Sequence, residues 1–174
     1  MDYIKTSLLT TVIVALSSIS VFSQTGDYQS LTTLTPDMQR KVFANELFLT
    51  SDGKYLIVNY GDKPTFIVAY STSEWKQSAI FRLTDWVDFA SAYSDTATQQ
   101  FYVKISRGSS KYHRLDIEQK TQDIIPCDIT PHGCPHIEMK KNSKSLYTAD
   151  KKFYITINKQ NKREVKVYKL RTAE

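Results

Sequence analysis

The chain has few of the residues that interrupt regular structure and few of those that do chemistry. Of 174 residues, five are glycine, five proline, two cysteine and three histidine. So little Gly and Pro, alongside 41% hydrophobic residues, excludes a flexible linker or a disordered tail. There is no Gly-x-Ser-x-Gly elbow, no His-Glu-x-x-His and no phosphate-cradling glycine loop. That removes the common signatures of serine hydrolases, zinc peptidases and nucleotide-binding loops.

Charge is absent from one long stretch, Thr6 to Phe22, which follows Asp2 and Lys5. Ser17, Ser18, Ser20 and Ser23 crowd its far end. A charged start, an apolar middle and small residues before a cut between Ser23 and Gln24 make residues 1–23 a secretory signal peptide. An uncleaved anchor is the alternative, although the run falls short of the ~20 apolar residues that span a bilayer. The expected location is extracytoplasmic, periplasmic or secreted, with a mature chain of Gln24 to Glu174 sized for one domain.

Aromatics are plentiful: eleven Tyr and eight Phe. Such residues favour the half-buried, pleated surface of strands. The overall charge of +5 is uneven. From Glu138 to Glu174, eleven basic residues stand against four acids, whereas Gln24 to Ile137 is net −2. A basic terminal third, residues 138–174, suits an anionic surface. Lys151, Lys152, Lys159, Lys162, Lys166 and Lys169 lie among apolar residues, as on the solvated face of strands. Nucleic acid is not expected as a partner, because no recognised binding motif is present.

Along the chain, residues 24–46 read as an N-terminal arm ending in a short helix. Thr35 is placed as its N-cap, Pro36 sits in the first turn, Asp37 faces the dipole, and Met38, Val42 and Phe43 fall at helical spacing. Residues 47–174 read as strands. Leu47 to Leu49, the turn Ser51-Asp52-Gly53-Lys54 and Tyr55 to Val58 form a hairpin signal, followed by strands at Phe66–Tyr70 and Ser78–Leu83. The same succession recurs from Val87 to Pro126 and again from Ile137 to Leu170. Taking Phe66, Tyr112 and Phe153 as the starts of the third strands gives spacings of 46 and 41 residues.

Four short strands per forty-odd residues resembles the blade repeat of β-propellers, and Ser51-Asp52-Gly53-Lys54-Tyr55-Leu56 resembles the turn between a blade's first two strands. The resemblance covers residues 47–170. It implies an all-β fold of about three four-stranded antiparallel blades. Propellers close with about four to eight, so three imply a partial propeller or one completed by a second copy. An up-and-down β-barrel or a sandwich uses the same meander and is the alternative.

Cys127 and Cys134 enclose a short loop containing Pro131 and Gly133, and in an oxidising compartment they are expected to form a disulfide. The competing reading is a metal site of Cys127, His132, Cys134 and His136, chemically suited to zinc or copper. Its spacing matches no structural zinc pattern, and Pro131 and Pro135 restrict the loop where ligands would converge. No metal and no cofactor are therefore expected.

Asp85-Trp86-Val87-Asp88 places two acids beside an aromatic, the ingredients of a saccharide groove. Acids three apart in a strand face opposite ways, however, so the plain reading is a packed Trp with solvated acids, and a non-catalytic binding surface using Trp75 or Trp86, with Asp85 and Asp88, ranks above catalysis. His113 and Asp116 likewise fall on opposite faces and form no base–orienter pair. The sequence thus leads to an exported, non-enzymatic binding or scaffolding domain whose partner is a protein or a second copy. A β-barrel holding a small hydrophobic ligand, or a secreted inhibitor or immunity-type protein, are the alternatives.

Overall fold

A computed structural model of the chain describes residues 28–61, 63–106, 108–132 and 143–171. The expected signal peptide and cleavage point lie outside them. The architecture is all-β, with twelve strands in three four-stranded antiparallel sheets among the described residues. The first sheet is β2 (Ala44–Leu49), β3 (Tyr55–Tyr60), β4 (Thr65–Ser71) and β5 (Lys76–Leu83). The second is β6 (Asp88–Asp95), β7 (Gln100–Lys104), β8 (Lys111–Asp116) and β9 (Thr121–Pro126). A single 3-10 turn, Cys127–Ile129, follows β9.

The third sheet departs from chain order. It runs β1 (Tyr28–Leu34), β12 (Val165–Leu170), β11 (Phe153–Ile157) and β10 (Ser145–Tyr147). The expected third repeat began at Ile137 and supplied all four of its own strands. Residues 137–139 lie outside the described residues, and the fourth strand is β1, from the other end of the chain. Phe153 consequently opens the second strand of its sheet, equivalent to Tyr55, not the third strand equivalent to Phe66. The strand spacing alone could not show this, because a strand borrowed from the N-terminus leaves no gap in the local pattern.

The helix expected from Thr35 does not form: residues 35–43 are irregular. Their backbone groups are taken by other parts of the chain. The Asp37 amide donates to Gln77 Oε1 at 2.9 Å, the Met38 carbonyl accepts from Arg163 Nη2 at 2.8 Å, and the Ala44 amide donates to the Lys162 carbonyl at 2.8 Å. Leu34, Val42 and Ala44 are buried in the same cluster as Val165 and Val167. The segment expected to be an arm is therefore part of the β structure, and tertiary contacts override helix propensity.

The first sheet is central, sharing one core cluster with the third sheet and another with the second. Covered on both faces, β3 and β4 are buried almost throughout. This explains their unbroken apolar runs Leu56-Ile57-Val58 and Phe66-Ile67-Val68-Ala69-Tyr70. The three sheets stay separate and do not close into a barrel, so the barrel alternative fails. Within the core, the Tyr60 and Tyr70 hydroxyls lie 3.2 Å apart, and burial pushes Tyr70 up to about 12.

One turn is used twice. Thr50 Oγ1 donates to Asp52 Oδ1 at 2.7 Å and accepts from the Tyr55 amide at 3.0 Å, while Asp52 Oδ1 also accepts from the Lys54 amide. Thr148 Oγ1 donates to Asp150 Oδ1 at 2.6 Å and accepts from the Phe153 amide at 3.1 Å, while Asp150 Oδ1 accepts from the Lys152 amide. The shared pattern, Thr-x-Asp-x-Lys-aromatic, joins the first two strands of the first and third sheets and supports their equivalence.

Candidate functional site

At one end of the first sheet, Glu46 and Asn59 face each other across β2 and β3. Both are buried, at 9% and 6% exposure, and Asn59 Nδ2 donates to Glu46 Oε2 at 2.9 Å. A carboxylate can only accept, so this contact fixes the amide orientation. Asn59 Oδ1 is left buried without a hydrogen-bond partner among the described residues. A bulge between Ala44 and Glu46 shifts the register here and turns Glu46 to the side facing the second sheet. Beside the pair lies a cleft of about 250 Å³ whose lining includes Asn45, Gly61, Thr65, Trp86 and Lys144. Lys144 Nζ donates to the Asn45 carbonyl, and Asn45 Nδ2 to the Gly61 carbonyl at 2.9 Å. A second cleft of about 270 Å³, lined in part by Asp88, Phe89 and Ser106, shares Glu46, Trp86 and Val87 with the first.

Trp86 thus stands at the common wall of two clefts, and it is 59% exposed. The other residues picked out from sequence are dispersed. Asp88 accepts from the Ser91 hydroxyl at 2.9 Å. Asp85 instead lies 3.5 Å from Nε2 of buried His113, long for a hydrogen bond. Burial holds His113 below its ordinary value, against the opposing pull of Asp85. The two acids therefore serve different partners. Trp75 is half-buried, packed edge-on against Phe153 with ring centroids 5.2 Å apart, and does not reach the clefts.

Cys127 is buried against Tyr102, Tyr112 and Ile125, and no cysteine is free among the described residues. Cys134 and His136 lie outside them. His132 packs edge-on against Tyr93, with centroids 4.7 Å apart. Among the described residues, no three His, Cys, Asp or Glu side chains are grouped to hold a metal.

A second feature lies on the third sheet. Tyr147 pairs with Tyr154, Tyr154 with Tyr168, and Tyr168 with Ser30, a lateral row across all four strands. Tyr28 joins it, 6.0 Å from Tyr147 and 6.2 Å from Tyr154 between ring centroids. The alternate residues Leu34, Ile155, Ile157, Val165 and Val167 point into the core, so the tyrosines face outward, and Tyr147 is 47% exposed. Lys166 shares the face through its pairing with Thr156 and Thr33, and Lys151, Lys152 and Lys169 are exposed at the sheet's borders. Sequence inspection registered the lysines but missed the row, because Tyr28 lies more than a hundred residues from its neighbours.

Asn59, Glu46 and Lys144 also escaped the sequence reading. Asn59 and Glu46 signalled only as polar residues inside apolar strands, and exposed Lys144 reaches Asn45 from 99 residues along the chain. No protein-family model and no curated protein matches the chain.

Proposed function

We propose that this chain is an exported, non-enzymatic binding domain of propeller-like architecture that docks an acidic protein surface on the outward face of its third sheet. The tyrosine row carries the reading. Tyrosine gives large contact area at small entropic cost and is enriched at the centres of interfaces. The surrounding charge selects the partner. Lys166 lies on the face and Lys151 and Lys152 are exposed at the sheet's border, so an acidic surface is attracted and a basic one repelled.

A photo-crosslinking amino acid placed at Tyr147 tests this in the native exported fraction. The expected result is one cross-linked acidic protein, lost when Tyr154 and Tyr168 are both changed to Ser and weakened as salt rises. Cross-linking only to a second copy of the chain, or no adduct at all, overturns the reading.

A further inference from the structure

The structure assigns a second ligand site to the paired clefts at Trp86, and we infer that it takes a neutral oligosaccharide. This site shares no residue with the tyrosine row and stands independently of the protein-docking reading.

Three observations converge. First, Asn59 Oδ1 is a buried acceptor without a donor among the described residues. Such a group costs about 1–3 kcal/mol when left unsatisfied, and a ligand hydroxyl would supply the donor. Second, the lining mixes acceptors with a cation: Glu46 and Asn59 stand with Lys144 in one cleft, and Asp88 is in the other. A hydroxyl both donates and accepts, so it suits each of them. An ammonium ligand would face Lys144, and a carboxylate or phosphate would face Glu46 and Asp88. Third, Trp86 is exposed where the two clefts meet. An indole face offers apolar area to the C–H side of a sugar ring. One cleft alone is smaller than the usual small-molecule pocket of about 300–1,000 Å³. Two clefts flanking one ring fit adjacent units of a chain better than a single compact ligand.

The orientation of Asn59 strengthens the assignment. Glu46 holds the amide by its nitrogen, so little ordering of the Asn59 side chain remains to oppose binding.

The test is titration of the folded chain with cellohexaose, chitohexaose, maltohexaose and xylohexaose, read by tryptophan fluorescence and calorimetry. At least one is expected to bind with a dissociation constant below a millimolar. Trp86→Ala, a change at an exposed position, should weaken that binding at least tenfold without altering the circular dichroism spectrum. Asn59→Leu removes the acceptor and should also weaken it; a matching thermal transition will establish that this variant folds. Trp75→Phe, away from the clefts, should bind like the parent. Failure of all four saccharides overturns the proposal. So does binding that Trp86→Ala leaves intact, or preferential binding of tetramethylammonium over every sugar.

Discussion

Gly53 and Lys151 occupy the same left-handed position in two copies of one turn, with φ of +71° and +56°. Each precedes the lysine whose amide donates to the turn's aspartate. The first copy follows the usual rule for a left-handed residue, and the second breaks it.

That contrast gives a direct prediction. A non-glycine residue in the left-handed region is strained by the approach of its Cβ to the backbone. The Lys151 side chain is exposed, so little else is lost by removing it. Lys151→Gly should stabilise the fold by about 0.5–1 kcal/mol, read as a raised midpoint in urea. Gly53→Ala should destabilise it by a similar amount. Open space surrounds a Cβ at Gly53, so that cost would come from backbone conformation and not from a clash.

The threonine hydroxyls are the second target. Thr50 is buried, and its hydroxyl satisfies both Asp52 and the Tyr55 amide. Thr50→Ala should cost about 1–2 kcal/mol, and Thr50→Ser should recover most of it, as measured by chemical denaturation. The carboxylates add a pH signature. Burial raises Asp52, but hydrogen bonds from Thr50 and Lys54 outweigh it and hold the carboxyl below 3.8. The Thr148 hydroxyl leads the lowering at Asp150. A depressed carboxyl stabilises the fold above its unfolded value and loses that contribution as pH falls through the folded one. Acid unfolding should therefore begin at higher pH in Thr50→Ala than in the parent.

His113 sets a different window. Burial lowers its value beneath 6.5, so below that pH the unfolded chain binds the proton more readily than the folded one. Stability should be full above about pH 6.5 and fall as the solution is acidified towards pH 5. In His113→Phe that part of the slope should vanish, while the carboxylate slope at lower pH persists. Urea midpoints taken every half unit of pH separate the two.

Cys127 and Cys134 should be bonded in protein recovered under oxidising conditions. Denaturing thiol titration is expected to find neither free, and reduction should cost roughly 2.5 kcal/mol on the chain-entropy account for so short a loop. Two titratable thiols in such material would defeat the assignment.

Parts of this fold are legible in local residues. Ser51-Asp52-Gly53-Lys54 marks the first hairpin because Asp and Gly carry their turn chemistry in two adjacent positions. The strands from Leu47 to Pro126 follow from apolar runs bounded by such turns. Thr148-Ala149-Asp150-Lys151-Lys152 is the same turn, disguised by a lysine where glycine belongs. The helix expected at Thr35 illustrates the opposite failure. A good N-cap and first turn are weak forces beside the packing of Met38 and Val42 and the hydrogen bonds to Gln77 and from Arg163.

The candidate sites divide in the same way. Trp86 could be singled out because an aromatic between two acids is visible in four consecutive residues. Its neighbours Glu46, Asn59 and Lys144 are brought to it from distant strands, and Asp85 is drawn away to His113.

What the sequence determined by itself was the all-β class, the rhythm of four-stranded repeats and the basic character of its last third. Those properties rest on residue type and on spacing within one or two strands. The tertiary structure alone decided that β1 completes the third sheet, that four tyrosines share one face and that Asn59 presents an unmet acceptor beside Trp86. Each depends on which strands become neighbours, and pairing between residues a hundred or more apart is settled by burial of the whole core and not by any local preference.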